Sequence, residues 1–452
     1  MRSANRMGMI MLIILLGTFC LLASCGDDET EEPTQIPTET EESTRGPTDT
    51  GEPITTPSET AKPPVTPTQP VEPVEDVTIT IGNISDLTGP AASAVAIVDY
   101  AYQDLITYFN EENLIPGVKL ELKTYDGQYD PSKDIPGYLW LRERGADLIV
   151  GSLPPTPVSL KPRLDEDQVV MFAMNSADEG IYPPGYSFSL NAPTEAYPQT
   201  LLKWIAENDW DWQTRGPAKI GSAGWMGPYE EALQYGMREY AKAHPDQFEW
   251  VGGYLTQNSV TWGPEVAALI DCDYVMPPST AFGMTNFMKE YLVADGKGRF
   301  LAADGHPAWL GYAVGALGWE NMDGWLFTLS TPWWSDDAEI VDLAYELIDR
   351  YHESAETIMW GGNSYLTPFV FWYGALMAIK QTVEDVGPEN FSSQALYDTL
   401  MTFRLDYEAP QTWGFDETKR TNWDHVGIYV ADGAQQDLVR LDPEWQPILY
   451  TP

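Results

Sequence analysis

From Val77 onward the chain repeats one rhythm: a short apolar run, a turn, then a stretch whose apolar residues recur at helical spacing. "VTITIGNI" (77–84) reads as a strand and enters the turn "SDLTGPAAS". The next segment places Val98, Tyr102, Leu105 and Phe109 on one helix face. The strand "VKLELKTYD", the helix around "YLWLRERG", the strand "ADLIVGS", a further helix and the strand "VVMFAMN" follow. The pattern resumes with "AKIGSAGW", "YEEALQYGMREYAKAH" and "FEWVGGYL". It continues through "PEVAALI", "CDYVMPP", "MTNFMKEYLVADG" and "RFLAADG". Such alternation predicts an α/β fold with parallel sheets covered on both faces. About 375 residues follow Val77, more than one core usually supports, so two lobes are expected. Gly117, Gly145, Gly296 and Gly298 punctuate helix ends or turns. The apolar stretch "SYLTPFVFWYGALMAIKQTVEDV" (364–386) is interrupted by proline and rich in aromatics, which fits a buried core helix better than a membrane span.

The first 76 residues have a different character. Arg2 and Arg6 precede an apolar run from Met9 to about Leu22, short for a membrane span and suited to a signal peptide over 1–24. Leu22-Ala23-Ser24-Cys25 resembles a bacterial lipobox, in which the cysteine thiol carries a diacylglyceryl group and the chain is cut just before it. An ordinary signal peptide with an incidental cysteine is the alternative. Residues 25–76 are dominated by Thr, Pro, Glu and Ser and lack aromatics, so they bury too little to offset the entropy of ordering. That segment reads as a stalk between the anchor and the folded part.

The formal net charge is -43, from 68 Asp and Glu against 25 Lys and Arg. Such a surface repels a phosphate backbone, so no nucleic-acid partner is expected. Beyond Cys20 and Cys25 only Cys272 remains, in "LIDCDYVM", which reads as a buried strand with an inert thiol. The four His stand at 244, 306, 352 and 425, with no pair at metal-ligand spacing and no H-E-x-x-H. "DGH" (304–306) sets an acid near a base, but no G-x-S-x-G supplies a nucleophile elbow. A glycine-rich phosphate loop is also missing. No enzyme, metal or cofactor is therefore expected.

In open α/β sheets, ligands collect beyond the carboxyl ends of the strands. The turns there are 85–93, "GSLPPTP" (151–157), "MNSADEG" (174–180), "GWMGPYEE" (224–231), "MPPSTAFG" (276–283) and "ADGHPAW" (303–309). They carry hydroxyls, amides, exposed backbone and a few aromatics, the equipment of a small-molecule site.

The order "IGNISDLTGPAAS", "YDGQYDPSKD", "ADLIVGSLPPTP", "VVMFAMNSA", with a late "TWGFDETK" (412–419), resembles the type I periplasmic binding proteins, in particular the leucine/isoleucine/valine-binding family of ABC-transporter receptors. The resemblance spans roughly 78–430. It implies two doubly wound α/β lobes joined by a three-crossover hinge: 78–191 with 328–427 as lobe one, 192–327 with 428–452 as lobe two. It also implies that the ligand is enclosed by lobe closure and presented, unreacted, to a membrane permease.

Carried over residue by residue, the family's first-lobe loop retains only the hydroxyl of Thr156, beside prolines. Asn175-Ser176-Ala177 stands at the next loop. In lobe two a family aromatic matches Tyr229, and Trp225 replaces an acid. Thr280 or Ser279 falls at a strand end, and Asp304 matches the acid that pairs with a substrate ammonium. Trp333, past the second crossover, is a further cleft candidate. Each has a plainer reading: Thr156 as a helix cap, Asp304 before Gly305 as turn chemistry, and Trp225, Tyr229 and Trp333 as packing. Retention of Asp304 favours a ligand with a cationic nitrogen. The expected protein is a lipid-anchored, extracytoplasmic solute receptor on the cell membrane. Its partners are ABC permease subunits and a small amino acid, amide or related amine. The alternative is a sensor of the same fold that hands its closed state to a signalling partner.

Overall fold

A computed structural model describes residues 76–257, 259–407 and 411–450. The signal peptide, Cys25 and the stalk lie outside the described residues.

The first sheet contains β1 (Val77–Ser85), β2 (Val118–Asp126), β3 (Leu148–Gly151), β4 (Met171–Ala173) and β5 (Ser187–Ser189), all parallel, in the order β2-β1-β3-β4-β5. Between them run α1 (Ala92–Glu111), α2 (Asp134–Glu143) and α3 (Pro155–Asp167). In β1, Ile79 and Ile81 are buried in the layer that also holds Tyr102, Leu105 and Trp372, whereas Ile84 joins Tyr138, Leu141, Leu160 and Leu164 on the opposite face. The sheet is thus covered on both sides, as the long apolar strands require.

After β5 the chain enters a second sheet through α4 (Ala196–Asn208) and the short α5 (Trp212–Arg215). There β6 (Ala218–Trp225), β7 (Phe248–Thr256), β8 (Tyr274–Met276), β9 (Arg299–Ala302) and β10 (Leu326–Leu329) run parallel, linked by α6 (Pro228–Ala243), α7 (Gly263–Leu269), α8 (Ala281–Val293) and α9 (Leu310–Leu317). The chain then returns to the first sheet. Of α10 (Glu339–Tyr351), α11 (Ala355–Trp360), α12 (Leu366–Val386) and α13 (Ser393–Leu400), α10 and α12 pack on α1, and α13 packs on α12. A hairpin of β11 (Arg404–Asp406) and β12 (Thr412–Gly414) follows. Finally β13 (His425–Asp432) joins β10 antiparallel and pairs with β14 (Asp437–Arg440) and β15 (Gln446–Pro447). The second sheet is therefore mixed, with order β14-β13-β10-β9-β8-β6-β7. This differs from the all-parallel expectation because β13 and β14 form a hairpin, which needs no crossover helix.

The proline-interrupted stretch is α12, with Pro368 in its first turn, where a missing N–H costs little. Trp372, Phe369, Val370 and Ile379 on it are fully buried. No described helix is long and apolar enough to cross a membrane. Cys272 is buried, but it lies in the turn just before β8 rather than in the strand, and burial pushes its thiol up to about 12.

The segment between α11 and α12 is wedged between the two sheets' helices. Asn363 N donates to the Pro307 carbonyl (3.3 Å), Ser364 Oγ to the Ala308 carbonyl (3.1 Å), and Trp334 Nε1 to the Gly362 carbonyl (2.8 Å). Gly362 has φ +61°, and a Cβ on it would collide with the Pro307 carbonyl oxygen. A Gly362→Ala variant should lose more than the roughly 1–2 kcal/mol that a left-handed residue alone costs. Urea unfolding measures this, and an unchanged midpoint would show that the wedge is loose.

Candidate functional site

Both parallel arrays reverse their strand order once, between β1 and β3 in the first sheet and between β6 and β8 in the second. Crevices at such switch points are where open α/β sheets hold ligands. The ends of β3, β6 and β8 carry Thr156, Trp225, Tyr229, Ser279 and Thr280, whereas Asn175 to Ala177 follow β4, Asp304 follows β9 and Trp333 follows β10.

Asp304 stands just beyond β9 and is 5% exposed. Its Oδ1 accepts a hydrogen bond from the Tyr229 hydroxyl (2.9 Å), and its Oδ2 accepts from Asn191 Nδ2. Its own carbonyl accepts from Asn363 Nδ2 at 2.8 Å, and Gly305 N donates to the Tyr229 hydroxyl at 2.9 Å. Burial outweighs these donors and raises the carboxyl to about 6, and no described Lys or Arg forms an ion pair with it. The Tyr229 hydroxyl is held well above its ordinary range, by burial first and then by the charge on Asp304.

Asn191 is the hub of this network and was not foreseen from the sequence. It follows β5 at the first crossover and is fully buried. Its Nδ2 also donates to Asn175 Oδ1 (2.6 Å), and its Oδ1 accepts from Ala192 N (2.9 Å), Ser330 Oγ (3.0 Å) and the Tyr197 hydroxyl. One amide thus ties the ends of β4, β5, β9 and β10 together. The available signal was an asparagine at the expected crossover, followed by Ala-Pro.

The other named residues fall into three places. Asn175 joins Asp304 through Asn191, and beside it Ser176 Oγ donates to the Ala177 carbonyl (2.7 Å) as Ala177 opens the next turn. Trp225 and Thr280 flank Gly283, where a Cβ would stand 3.4 Å from the Trp225 ring and 3.1 Å from Thr280 Oγ1. Trp225 Nε1 donates to the Ser259 carbonyl (2.9 Å), whereas Thr280 Oγ1 is buried without a partner. Thr156 and Trp333 point elsewhere. Thr156 Oγ1 donates to Asp134 (3.1 Å) at the start of α2, and Trp333 Nε1 donates to Asp437 (2.7 Å) on β14.

Two further buried groups belong to these loops. His306 Nδ1 accepts from Ala303 N (3.1 Å), which places the proton on Nε2, facing the Pro277 carbonyl (3.1 Å). Burial lowers it to about 4, so it is a neutral brace between the β8 and β9 loops rather than a base for Asp304. Glu230, next to Tyr229 in the first turn of α6, is 6% exposed. Its Oε1 accepts from both Ser279 N and Ser279 Oγ at 2.7 Å. Burial raises it to about 7, again with no basic group beside it.

These loops gather at the carboxyl ends of the strands of both sheets. A family model described as periplasmic binding protein matches residues 78–435. The chain belongs to that family and has its type I, two-lobe fold. Solved structures similar to it include a branched-chain amino acid ABC transporter protein from Thermus thermophilus with bound valine, at 19% identity and TM-score 0.71, covering 83% of this chain and 97% of that one. A fatty acid ABC transporter substrate-binding protein from Thermomonospora curvata is similar at 15% identity and TM-score 0.68, covering 84% and 94%. A Rhodopseudomonas palustris solute-binding protein in complex with 4-hydroxybenzoate is similar at 15% identity and TM-score 0.65, covering 82% and 97%. No curated protein sequence matches the chain.

Proposed function

We propose that this protein is the solute-binding receptor of an ABC importer, and that it captures a small amino acid, amide or related amine by lobe closure without reacting with it. The observation that carries the reading is Asp304, a buried carboxylate at a strand end with no basic partner. A buried unpaired charge is costly, and a cationic nitrogen entering the cleft would neutralise it. Proteins of this fold hold valine in one case and 4-hydroxybenzoate in another, so the fold alone leaves the ligand open and the site's charge has to choose. Hydroxybenzoates and fatty acids are anions, and they would face two buried acids here.

A thermal-shift screen of the full-length chain in detergent tests this, because a ligand that binds only the folded state raises the melting temperature by mass action. Amino acids and amines should raise it; stabilisation by hydroxybenzoates or fatty acids alone would overturn the assignment.

The receptor is proposed to be held on the extracytoplasmic face through acylated Cys25. A Cys25→Ala variant should then leave the membrane fraction, since acyl chains bind far more firmly than a polar stalk. Retention of a correctly processed variant on membranes would remove the anchor.

A further inference from the structure

We propose that the cleft holds a second cation subsite, at Glu230, and that the solute is therefore a dication: a basic amino acid or a diamine with one nitrogen at Asp304 and the other at Glu230. This rests on the amine reading above and narrows it.

Glu230 sits at the switch point of the second sheet, bridging the end of β6 to the β8–α8 loop. Its Oε1 accepts from both Ser279 donors, whereas Oε2 has no hydrogen-bond partner among the described residues. Oε2 lies over the last residues of β6, where Gly224 leaves room for it; a Cβ there would stand 2.7 Å away. One residue past Ser279, the Thr280 hydroxyl is likewise buried and unpartnered. A purely structural brace would need only Oε1, and a neutral glutamine would serve as well. A carboxylate that is 94% buried, with one oxygen unused and no base near it, is the counter-charge for something that arrives from outside.

The first lobe supplies a matching aromatic. Tyr129, beyond β2, is presented by two successive left-handed residues, Gln128 (φ +55°) and Tyr129 itself (φ +53°). Non-glycine residues adopt that backbone at a cost, and runs of them gather at binding sites. The turn is held by Asp126, which accepts from Leu87 N (2.9 Å), Thr88 Oγ1 (2.6 Å) and Gln128 N (3.2 Å). The ring keeps an exposed edge, at 38%. Its hydroxyl is pushed up to about 12, by burial first and then by the negative charges of Glu230 and Asp86. Tyr129 follows the carboxyl end of β2 in the first sheet, and Glu230 follows the carboxyl end of β6 in the second. Lobe closure that brings this ring over the Glu230 carboxylate would form the pairing that holds an ammonium or guanidinium.

The test is calorimetric titration of the full-length chain in detergent with lysine, arginine and a four-carbon diamine, and with norleucine, which has lysine's shape without the second nitrogen. Lysine should bind at least about tenfold more tightly than norleucine, as expected for a desolvated charge pair. Glu230→Gln keeps an acceptor for Ser279. It should erase that difference while leaving norleucine within about twofold. Tyr129→Leu should weaken lysine more than norleucine, and Tyr129→Phe should restore it. Equal binding of lysine and norleucine by the wild type, or an equal loss of both in Glu230→Gln, would overturn the second subsite and leave the amine reading standing. Binding of none of these amines would overturn both.

Discussion

In an Asp304→Asn variant the affinity for a cationic solute should fall by about 2–5 kcal/mol, the range for truncating one partner of a buried charge pair. The substitution keeps size and shape. An asparagine oxygen still accepts from either Asn191 Nδ2 or the Tyr229 hydroxyl, and that hydroxyl can turn to accept from the new amide. The network that joins β4, β5, β9 and β10 therefore survives. What disappears is the one full charge in it, which is paired only when ligand is present. The two readouts should move apart: a Kd raised by well over tenfold, measured by calorimetry with the amine that gives the largest thermal shift, and an unliganded stability no lower than wild type. Unchanged affinity would remove the ammonium pairing. A loss of the unliganded fold would instead make Asp304 a turn residue whose charge the structure needs.

The strand-and-helix rhythm was legible because both periods are local. Val118–Asp126 and Ala218–Trp225 are strands over the lengths their apolar patterns mark, and Val98, Tyr102, Leu105 and Phe109 share the buried face of α1. The short strands were harder. Ser187–Ser189 has one apolar residue in three and owes its state to pairing with β4. The hairpin beyond His425 depends on contact with β10, about a hundred residues earlier. At the site, Tyr229 and Asp304 were marked by a resemblance and are in contact, although neither periodicity nor composition pairs them. Asn191 was missed because its role exists only when five segments meet. Glu230 was missed because an acid in the first turn of a helix already has a sufficient local reason, the helix dipole. Tyr129 was missed because left-handed backbone at Gln128 and Tyr129 is imposed by the Asp126 cage and not by residue type. Trp333 shows the reverse: its place after a crossover suggested the cleft, but an indole N–H seeks an acceptor, and Asp437 on β14 supplies it from 104 residues away.

Replacing Glu230 by Gln should make the unliganded protein more stable at pH 8 by roughly 2–3 kcal/mol, and the gain should vanish by about pH 4.5. Burial raises Glu230 from 4.5 to about 7, so the folded state holds a proton that the unfolded state has lost. The cost of the buried charge is present in full above pH 7 and fades as pH falls toward 4.5. Asp304, raised from 3.8 to about 6, behaves the same way between pH 6 and 3.8. His306 acts in the opposite sense: lowered from 6.5 to about 4, it withdraws stability as pH falls through that interval. Each of the three shifts is worth on the order of 3 kcal/mol, so Asp304 and His306 largely offset one another. In the wild type the Glu230 contribution then adds to that of other carboxyls raised by burial, Asp99 and Glu195 among them, and stability should rise from pH 8 to pH 5. Ser279, the side chain that donates to Glu230, is neutral and does not titrate there. Comparing the variant with wild type by urea unfolding at pH 8, 6.5 and 5, at fixed ionic strength, cancels every other group. Parallel stability curves would show that Glu230 ionises in the fold as freely as in water, and with that the desolvated charge seeking a partner at the second switch point would be replaced by a hydrated one that needs none.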